Sequence, residues 1–582
     1  MLRKSLRSVS FALIMIFTIS SSFAQQRTVG LFVNDTSKAW KGYTLFAPKH
    51  YTSTYLINND GRIINVWKGS KYEPGQSVYL LPSGNLLRSC MTKGPLSTGG
   101  GEGGRIEEYD WNSNLVWEFD YSSTTYMQHH DIRPLPNGNI LVLAVEKKTV
   151  SELLAAGFNP SKFQPEVQTR GYMLPDFVVE VKPTRPKGGT IVWEWHVWDH
   201  LIQDYDPAKA NYGNIAAHPE LIDADGDGKQ LPVFWNHMNA VNYNATLDQI
   251  ILSVRGNSEV WVIDHSATTV EAAGHTGGKR GKGGDLLYRW GNPICYNTGS
   301  ASEQKLFQQH DAQWIDPDCP GAGNILVFNN GLGRNYSTAD EFTPPVDANG
   351  NYALTSGAAF GPRDFTWSFK ANPPSSLFSE AISGAQRLPS GNTLIDDGVH
   401  GTFIEVTASG EIVWKYLNPV VQTGPLAQGA AVPDDPARAG EKMNAVFRVQ
   451  RYPVTYGGFT GRNLTPGDYV ELYPTSVNDQ PETVPANFEL LQNYPNPFWS
   501  GATSRFTGNP ATEISYRLAT AGQVSLRVFD LAGREVATLV NGEKPAGNYK
   551  ATWQATNVPG GIYFIRLQAG KLVAVKKALL VR

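Results

Sequence analysis

Cysteines, charged residues and long apolar runs are all scarce in this chain of 582 residues. The three cysteines, Cys90, Cys295 and Cys319, leave room for at most one disulfide, and we expect three small buried thiols. Charged residues make up 18%, with 50 Lys and Arg against 53 Asp and Glu, which excludes a basic nucleic-acid binder and an acidic tail. No apolar run reaches the ~18 residues of a membrane-spanning helix.

The N-terminus has the three parts of a signal peptide in their usual order. Basic residues between positions 3 and 7 precede an apolar region of nine residues at 11–19, and Ser22-Phe23-Ala24 forms a small-x-small cleavage site. We therefore predict a signal peptide at 1–24 and a mature, exported chain that begins at Gln25.

Glycine and aromatic residues are plentiful, and tryptophan marks an internal repeat. There are 57 Gly and 15 Trp, a composition that favours short strands and turns over helices. Segments such as NLVWEF and EIVWKY recur at irregular spacing, and each places a Trp near the end of a predicted strand: Trp67, Trp117, Trp193, Trp290, Trp367 and Trp414.

A hairpin signal follows most of these tryptophan strands. Gly-Asn pairs supply the positive-φ turn of a tight hairpin at Gly84, Gly138, Gly323 and Gly391, and two degenerate copies begin after Asn244 and at Met443. Each unit has too little apolar surface to stand alone and must pack on its neighbours. We predict an all-β chain with a six-bladed β-propeller at 43–473, after a lead-in at 25–42. The alternative is a β-sandwich or several β-domains.

The C-terminal region reads as a separate small domain. Residues 474–486 are rich in Pro and polar residues and form a predicted linker, and 487–582 hold six strand-like segments typical of an immunoglobulin-like sandwich. The run NFELLQNYPNPF, VSLRVFDLAGREVATLV and GGIYFIRL resembles the type A sorting domain of the type IX secretion system. The resemblance implies that secretion machinery is a partner, and that the protein is released or attached to the surface of a Bacteroidota-like bacterium.

Three histidines differ in setting from the others. His130, His237 and His310 each stand at the start of the strand that follows a tryptophan strand, so three successive blades would direct an imidazole into one channel. Arg255 ends the apolar strand after His237. Such a set suits an anion site, because Arg provides a planar fork of donors for an oxyanion. A transition-metal site and buried structural histidines remain alternatives.

The stretches HHDIRPLPNGNILVL, WNHMNAVNYN, DQIILSVRGNSEVWVIDH and LFQQHDAQWI resemble the bacterial arylsulfate sulfotransferases that use no phosphoadenosyl donor. The resemblance implies that His310 becomes transiently sulfated, that His130, His237 and Arg255 hold the sulfuryl group, and that Asn239 belongs to the same site. It also implies a phenolic sulfate donor, a phenolic acceptor, no required cofactor, and ping-pong kinetics. His129 is the less favoured candidate for the first position.

The run DADGDG is an incomplete calcium signature. Asp223, Asp225 and Asp227 alternate as Ca²⁺ ligands do, but Phe234 stands where the bidentate Glu is expected. A turn is the commoner use of Asp-Gly, and calcium is the second interpretation.

Two other functions stay open beside the sulfotransferase. One is a non-catalytic binding propeller displayed at the cell surface. The other, a quinone-cofactor dehydrogenase, would have eight blades and bound calcium, and six tryptophan strands count against it.

Overall fold

The computed structural model describes residues 27–92, 94–226, 228–473, 488–499, 510–556 and 558–581. The chain divides into two compact units, Met1–Pro474 and Thr475–Arg582. The predicted signal peptide and the linker at 474–486 lie outside the described residues. Within the described ranges, no helix is both long enough and apolar enough to cross a bilayer.

The first unit is built from six antiparallel sheets, numbered here in chain order and given from first to last strand. Sheet 1 has Gln450–Pro453, Gly42–Phe46, Thr54–Asn58 and Ile63–Trp67; sheet 2 has Pro74–Leu80, Leu86–Met91, Gly104–Tyr109 and Leu115–Asp120; sheet 3 has Tyr126–Pro134, Ile140–Glu146, Asp176–Pro183 and Gly189–His196. Sheet 4 has Met238–Asn244, Gln249–Val254, Glu259–Asp264 and Tyr288–Trp290; sheet 5 has His310–Trp314, Ile325–Asn329, Thr338–Phe342 and Trp367–Lys370; sheet 6 has Gly384–Arg387, Thr393–Asp397, Thr402–Val406, Ile412–Leu417 and Gly30–Asn34.

Both ends of this unit are tied into sheets formed mainly by distant residues. Gln450–Pro453 pairs with Gly42–Phe46 and so completes sheet 1. Gly30–Asn34, from the predicted lead-in, pairs with Ile412–Leu417 as a fifth strand of sheet 6. We expected a degenerate copy of the hairpin turn and its following strand from Met443. That prediction is wrong, because the strand that follows Met443 is the first strand of sheet 1.

The helical segments are short and lie in the connections. The α-helices are Val150–Ala155, Pro165–Arg170 and Thr269–Ala272, and the 3₁₀ turns are Pro160–Lys162, Val197–His200, Ile215–Ala217, Pro293–Tyr296, Ala301–Glu303, Pro374–Ser376, Gly398–His400 and Gly457–Phe459. Three two-stranded pairs complete the unit: Lys148–Thr149 with Tyr172–Met173, Leu201–Ile202 with Ile222–Asp223, and Val420–Val421 with Gly424–Pro425.

The predicted hairpin turns are confirmed at all four glycines. Gly84, Gly138, Gly323 and Gly391 have φ between 82° and 87°, a region that a residue without Cβ enters readily. In the degenerate copy after Asn244, Asp248 takes the positive φ instead, at 54°.

The six tryptophans link each sheet to the next. Each donates its indole N–H to a backbone carbonyl in the connection between the third and fourth strands of the following sheet, at 2.7–2.9 Å: Trp67 to Asp110, Trp117 to Gly188, Trp193 to Ala267, Trp290 to Pro362, Trp367 to Ala408, and Trp414 to Asn59. The last bond runs from sheet 6 to sheet 1. These six hydrogen bonds therefore connect each sheet to the next one in the chain, and the last of them connects sheet 6 back to sheet 1.

Apolar cores fill the spaces between consecutive sheets. One core joins Trp117 and Phe119 of sheet 2 to Ile132 and Val142 of sheet 3, and equivalent clusters lie between the other neighbours. Cys90, Cys295 and Cys319 are buried free thiols, which confirms the expectation for the cysteines.

The second unit consists of two sheets around their own core. A three-stranded sheet has Glu489–Leu490, Ala511–Leu518 and Gly547–Gln554, and a five-stranded sheet has Phe498–Trp499, Leu572–Val581, Gly561–Ala569, Gly522–Phe529 and Glu535–Lys544. Ile514 and Trp553 of the first sheet pack with Leu526 and Ile565 of the second.

Candidate functional site

Irregularities in three first strands set the backbone of the site. In sheets 3, 4 and 5 the pairing between the first and second strands shifts register at 128–132, 238–240 and 310–313. Such bulges bend a strand and redirect its side chains. His130 and His310 lie within these segments, and His237 lies immediately before the second of them.

The structure brings these three histidines together in the interior. His130 and His310 are 3% and 1% exposed, and His237 is half-buried. The rings of His130 and His237 have centroids 5.1 Å apart. The ring of Phe447 lies 6.0 Å from His130 and 6.4 Å from His310, and Phe234 stacks on His237 at 4.3 Å. Apolar rings thus help to shield His130 and His310 from water, while His237 keeps part of its surface exposed.

Arg255 lies beside this cluster because its turn rests on the backbone of His237. The Arg255 N–H donates to the His237 carbonyl at 3.2 Å, and the Gly256 N–H donates to the Asn236 carbonyl at 2.8 Å. A Cβ at Gly256 would come within 2.3 Å of the Trp235 carbonyl oxygen, so this contact requires glycine. Among the described residues no carboxylate forms an ion pair with the Arg255 guanidinium, and burial lowers its pKa to about 10.

The imidazoles are neutral bases in this environment. Burial, followed by the positive charge of Arg255, lowers the pKa of His310 to about 3. Burial also holds the pKa values of His130 and His237 well below their usual range, and the neighbouring cationic groups add to the effect. A neutral imidazole has a free lone pair, so each ring can act as a nucleophile or a base at neutral pH.

Asn330 determines which nitrogen of His310 carries the proton. Its Nδ2 donates to the carbonyls of Ser379 at 2.8 Å and Ile382 at 3.0 Å, so its Oδ1 faces His310 and accepts from Nδ1–H at 2.8 Å. The lone pair is then on Nε2, which accepts the Ile382 N–H at 3.2 Å. Nε2 therefore carries the lone pair that is available for nucleophilic attack, and one backbone donor is already directed at it.

A buried carboxylate acts in the same way on His130 through a second imidazole. Asp176 Oδ1 lies 2.8 Å from His129 Nε2, and His129 Nδ1 lies 2.9 Å from His130 Nδ1. The nearby carboxylate favours a proton on Nε2 of His129, which leaves its Nδ1 to accept from His130. His130 then keeps its lone pair on Nε2. His129 is thus placed behind His130, between it and Asp176.

Backbone strain is concentrated around the cluster. Left-handed φ angles occur at His130 (45°), His237 (50°), Asp311 (57°) and Ile382 (51°). A β-branched residue such as Ile382 rarely adopts this region. Non-glycine residues in sparsely populated backbone regions gather at functional sites, where the surrounding structure holds them in place.

Asn239 occupies the site but bonds to backbone. Its Nδ2 donates to the Gln309 carbonyl at 2.8 Å, immediately before His310, and its Oδ1 is buried without a hydrogen-bond partner among the described residues. Asp131 and Asp311, which directly follow His130 and His310, make matching bonds to the next sheet, with the N–H of Val241 and of Ala385. One role of Asn239 is therefore to join the first strands of sheets 4 and 5.

A buried ion-pair network lies next to the histidines. Arg448 contacts Asp131 at 2.7 Å and Asp311 at 2.9 Å, and Tyr79 donates to Asp131 at 3.0 Å. These residues belong to or adjoin the first strands of sheets 1, 2, 3 and 5. Arg448 thus satisfies carboxylates that would otherwise be buried without a cation.

A cavity of about 390 Å³ reaches the site from one side. His237 and Arg255 line it, with Phe234, Trp235 and Gln308 around them, while His130 and His310 lie deeper. Arg170, Glu166 and Lys229 also line it, and Arg170 pairs with Glu166 at 2.7 Å. This lining suits a ligand with an anionic end and an apolar body.

Asp223 and Asp225 lie beside this cavity in the arrangement of a turn. Asp223 Oδ1 accepts the Asp225 N–H at 2.9 Å, and Asp225 Oδ1 accepts the Asn159 N–H at 3.0 Å. Burial and the nearby charges of Asp225 and Asp204 raise the pKa of Asp223 to about 7. Asp227 lies outside the described residues. Calcium binding stays a prediction.

Sequence reasoning missed several residues at this site. Asn330 lies in the NNG segment that follows the strand after the Gly323 hairpin turn, and no pattern in the sequence distinguishes it from a turn residue. Asp176, Phe447 and Arg448 carry no local signal at all, because they meet the histidines only through the packing of separate sheets.

Comparison with known proteins identifies both parts of the chain. The family Arylsulfotransferase (ASST) matches residues 44–424, and the Secretion system C-terminal sorting domain matches residues 493–581. No curated protein matches the chain significantly.

The similar solved structures are distant. A protein of unknown function from Bacteroides caccae has 12% identity and a TM-score of 0.36, over 71% of this chain and 98% of its own. PorZ, a surface component of the type-IX secretion system of Porphyromonas gingivalis, has 10% identity and a TM-score of 0.26, over 92% of this chain and 50% of its own. Kuenenia stuttgartiensis hydrazine synthase has 12% identity and a TM-score of 0.28, over 53% and 70%. TM-scores this low do not establish a shared fold.

Proposed function

Because this chain belongs to the arylsulfotransferase family, we propose that it transfers a sulfuryl group from a phenolic sulfate ester to a phenolic acceptor through a sulfo-histidine at His310. The observation that carries the proposal is Arg255, a guanidinium without a carboxylate partner among the described residues, at the inner end of a cavity beside neutral imidazoles. A tetrahedral sulfuryl group supplies the missing negative charge.

In the first half-reaction, His310 Nε2 attacks sulfur and the S–O bond to the aryl group breaks. A phenolate leaves, and its negative charge needs donors in a site shielded from water. Arg255 stabilises the negative charge that develops on the sulfuryl and leaving oxygens, and the neutral rings of His130 and His237 complete the wall of the sulfuryl site. Asn330 accepts the Nδ1–H throughout, so it stabilises the positive charge that develops on the His310 ring.

In the second half-reaction, a phenol replaces the departed product. Its proton passes to a neutral imidazole, of which His130 is the favoured base because Asp176 and His129 direct its lone pair to Nε2. The phenol oxygen then attacks sulfur, the N–S bond breaks, and His310 returns to its neutral form. His130 gives its proton to solvent, where the released phenolate takes up one proton in turn.

The Ile382 N–H must leave Nε2 before the lone pair can attack. At 3.2 Å this bond is long, and a shift of the 382–383 backbone that breaks it would also relieve the strained φ at Ile382. Once released, the same N–H is positioned to donate to a sulfuryl oxygen.

We further propose that the six sheets are the blades of a β-propeller, with their first strands around the centre. Side chain–backbone hydrogen bonds between the first strands of consecutive sheets support this, from Ser77 with Ile132 through to Tyr452 with Leu80. For the tail we propose an immunoglobulin-like sandwich that directs the protein through type IX secretion to the surface or the medium.

The deciding experiment compares wild type with His310→Ala. With phenol as acceptor, wild type is expected to release nitrophenol from p-nitrophenyl sulfate over many turnovers; with the acceptor withheld, it should release about one equivalent per chain and yield a peptide sulfated at His310. His218→Ala, at an exposed histidine outside the cluster, serves as the control and should retain full activity. No donor-dependent release by wild type would support the non-catalytic binding propeller instead.

A further inference from the structure

A second histidine cluster lies away from the Arg255 cavity, at the outer part of sheets 3 and 4. His200 closes the turn after the last strand of sheet 3, while His275 and Asp285 belong to the glycine-rich connection that precedes the last strand of sheet 4. The Nδ1 atoms of His200 and His275 lie 2.9 and 2.8 Å from the same atom, Asp285 Oδ1. His200 is fully buried and Asp285 nearly so, whereas His275 is exposed.

The hydrogen bond of the other His200 nitrogen makes this arrangement unusual. His200 Nε2 lies 2.9 Å from the Ala272 carbonyl, and because a carbonyl can only accept, Nε2 carries the proton. In a neutral ring the Nδ1 lone pair then points at a carboxylate oxygen, which also has lone pairs. Something positive must stand between them: either a second proton on the buried ring or a cation.

We propose that the cation is a divalent first-row transition metal bound by His200 Nδ1, His275 Nδ1 and Asp285 Oδ1. An ion about 2.1 Å from each atom would subtend N–metal–O angles of about 90° at the observed separations, the angle of octahedral coordination. A metal-bound histidine usually donates its other ring N–H to a carbonyl or carboxylate, as His200 does to Ala272.

The surroundings provide a rigid first ligand and an entry path. Gly284 packs so closely on His200 that a Cβ there would lie 2.6 Å from Nε2, and Trp195 stacks on the imidazole while donating to the Gly284 carbonyl at 2.7 Å. A cavity of about 420 Å³ is lined by His275, so an ion and its remaining water ligands can enter there. The bound metal would fasten the 273–285 connection of sheet 4 to the end of sheet 3.

The test uses untagged full-length protein freed of metal with EDTA. Titration with Zn²⁺ and with Co²⁺ in a calorimeter, and metal analysis after dialysis, should find one equivalent per chain. His275→Ala removes an exposed ligand that does not support the core, and it should weaken binding at least about tenfold. His218 lines the same cavity but lies outside the cluster, so His218→Ala should bind the metal ion as wild type does.

The site is also identified by a shift in thermal stability. One equivalent of Zn²⁺ should raise the melting temperature of wild type and of His218→Ala but not of His275→Ala. Absence of stoichiometric binding would overturn the proposal, because a second proton on His200 would then satisfy the geometry. A zinc equivalent that survives His275→Ala but is lost in His237→Ala would overturn it too, by locating the metal among the catalytic histidines.

Discussion

Arg255 gives the sharpest test at the scale of a single residue. Its partly buried guanidinium has no carboxylate partner among the described residues, so it lowers the stability of the protein without ligand, and the proposed reaction is what gives it a role. We expect Arg255→Met to lower kcat/KM by roughly 10²–10³, the typical loss for one oxyanion donor, and to raise the free energy of unfolding by about 1 kcal/mol.

The measurements are p-nitrophenyl sulfate kinetics and urea unfolding of the same preparations. Arg255→Lys is the matched control, since it keeps the charge but not the planar fork, and it should recover only part of the activity. Loss of stability together with loss of activity would indicate that Arg255 has an unrecognised structural partner.

His310 makes a prediction about pH. Its pKa is lowered to about 3 by burial and by Arg255, so the ring stays neutral and nucleophilic down to about pH 4. As the pH is lowered through about 6.5, the ordinary pKa of histidine, kcat/KM should therefore not fall on account of His310. Two results together would contradict the argument that burial and Arg255 lower the pKa of His310. The pH profile of wild-type kcat/KM would follow an apparent pKa of about 6.5, and the profile of Arg255→Met would be the same.

The same shift has a consequence for stability. Below about pH 6.5 the unfolded chain binds protons at this position while the folded protein does not, so stability falls as the pH is lowered from 6.5 toward 3. His310→Gln removes the titrating group, and its free energy of unfolding should fall less steeply over this range. Equal slopes for the two proteins would contradict the pKa shift.

At the scale of an element, the tryptophan strands carry the contact between sheets. Trp117 is fully buried, and its indole N–H bonds the Gly188 carbonyl of sheet 3 at 2.8 Å. Trp117→Phe keeps a ring in the core but leaves that carbonyl without its donor, and we expect a loss of about 2–3 kcal/mol from the missing bond and the smaller ring.

Trp111→Phe is the matched control for this substitution. Trp111 packs on Trp67 with ring centroids 5.4 Å apart, but it is not a member of the repeated hydrogen-bond set. Its replacement should cost clearly less in chemical denaturation. Equal losses for the two variants would mean that ring volume alone, and not the indole bond, joins neighbouring sheets.

At the scale of the whole molecule, the two units should be separable and the first should depend on both its ends. A chain that ends at residue 474 keeps Gln450–Pro453 in sheet 1, and we expect its melting temperature and transferase activity to match those of the full chain. A chain that ends at 447 loses this strand and exposes the backbone edge of Gly42–Phe46.

The shorter truncation should fail to give a cooperative transition in calorimetry or circular dichroism. Loss of activity on removing only the tail would show that the sorting domain supports the catalytic unit and does more than direct export. Cooperative unfolding of the shorter chain would instead show that the first unit does not need the pairing of Gln450–Pro453 with Gly42–Phe46.

The sequence by itself determined features that act over a few residues. A glycine in a two-residue hairpin, a tryptophan in a strand and a histidine before a strand depend on local backbone and side-chain chemistry, so Gly84, Trp117 and His310 could be found by their patterns. The family match extends the same kind of information over 44–424.

Only the tertiary structure decided how each of the proposed catalytic side chains is held. Asn330 is bonded to His310 across 20 residues, Asp176 reaches His130 through His129, and Arg448 joins Asp131 across more than 300 residues. The contact between His200 and Asp285 is likewise visible only in the tertiary structure. Hydrogen bonds and ion pairs of this kind depend on distance in space, which is set by how the strands and sheets pack and cannot be read from a local pattern.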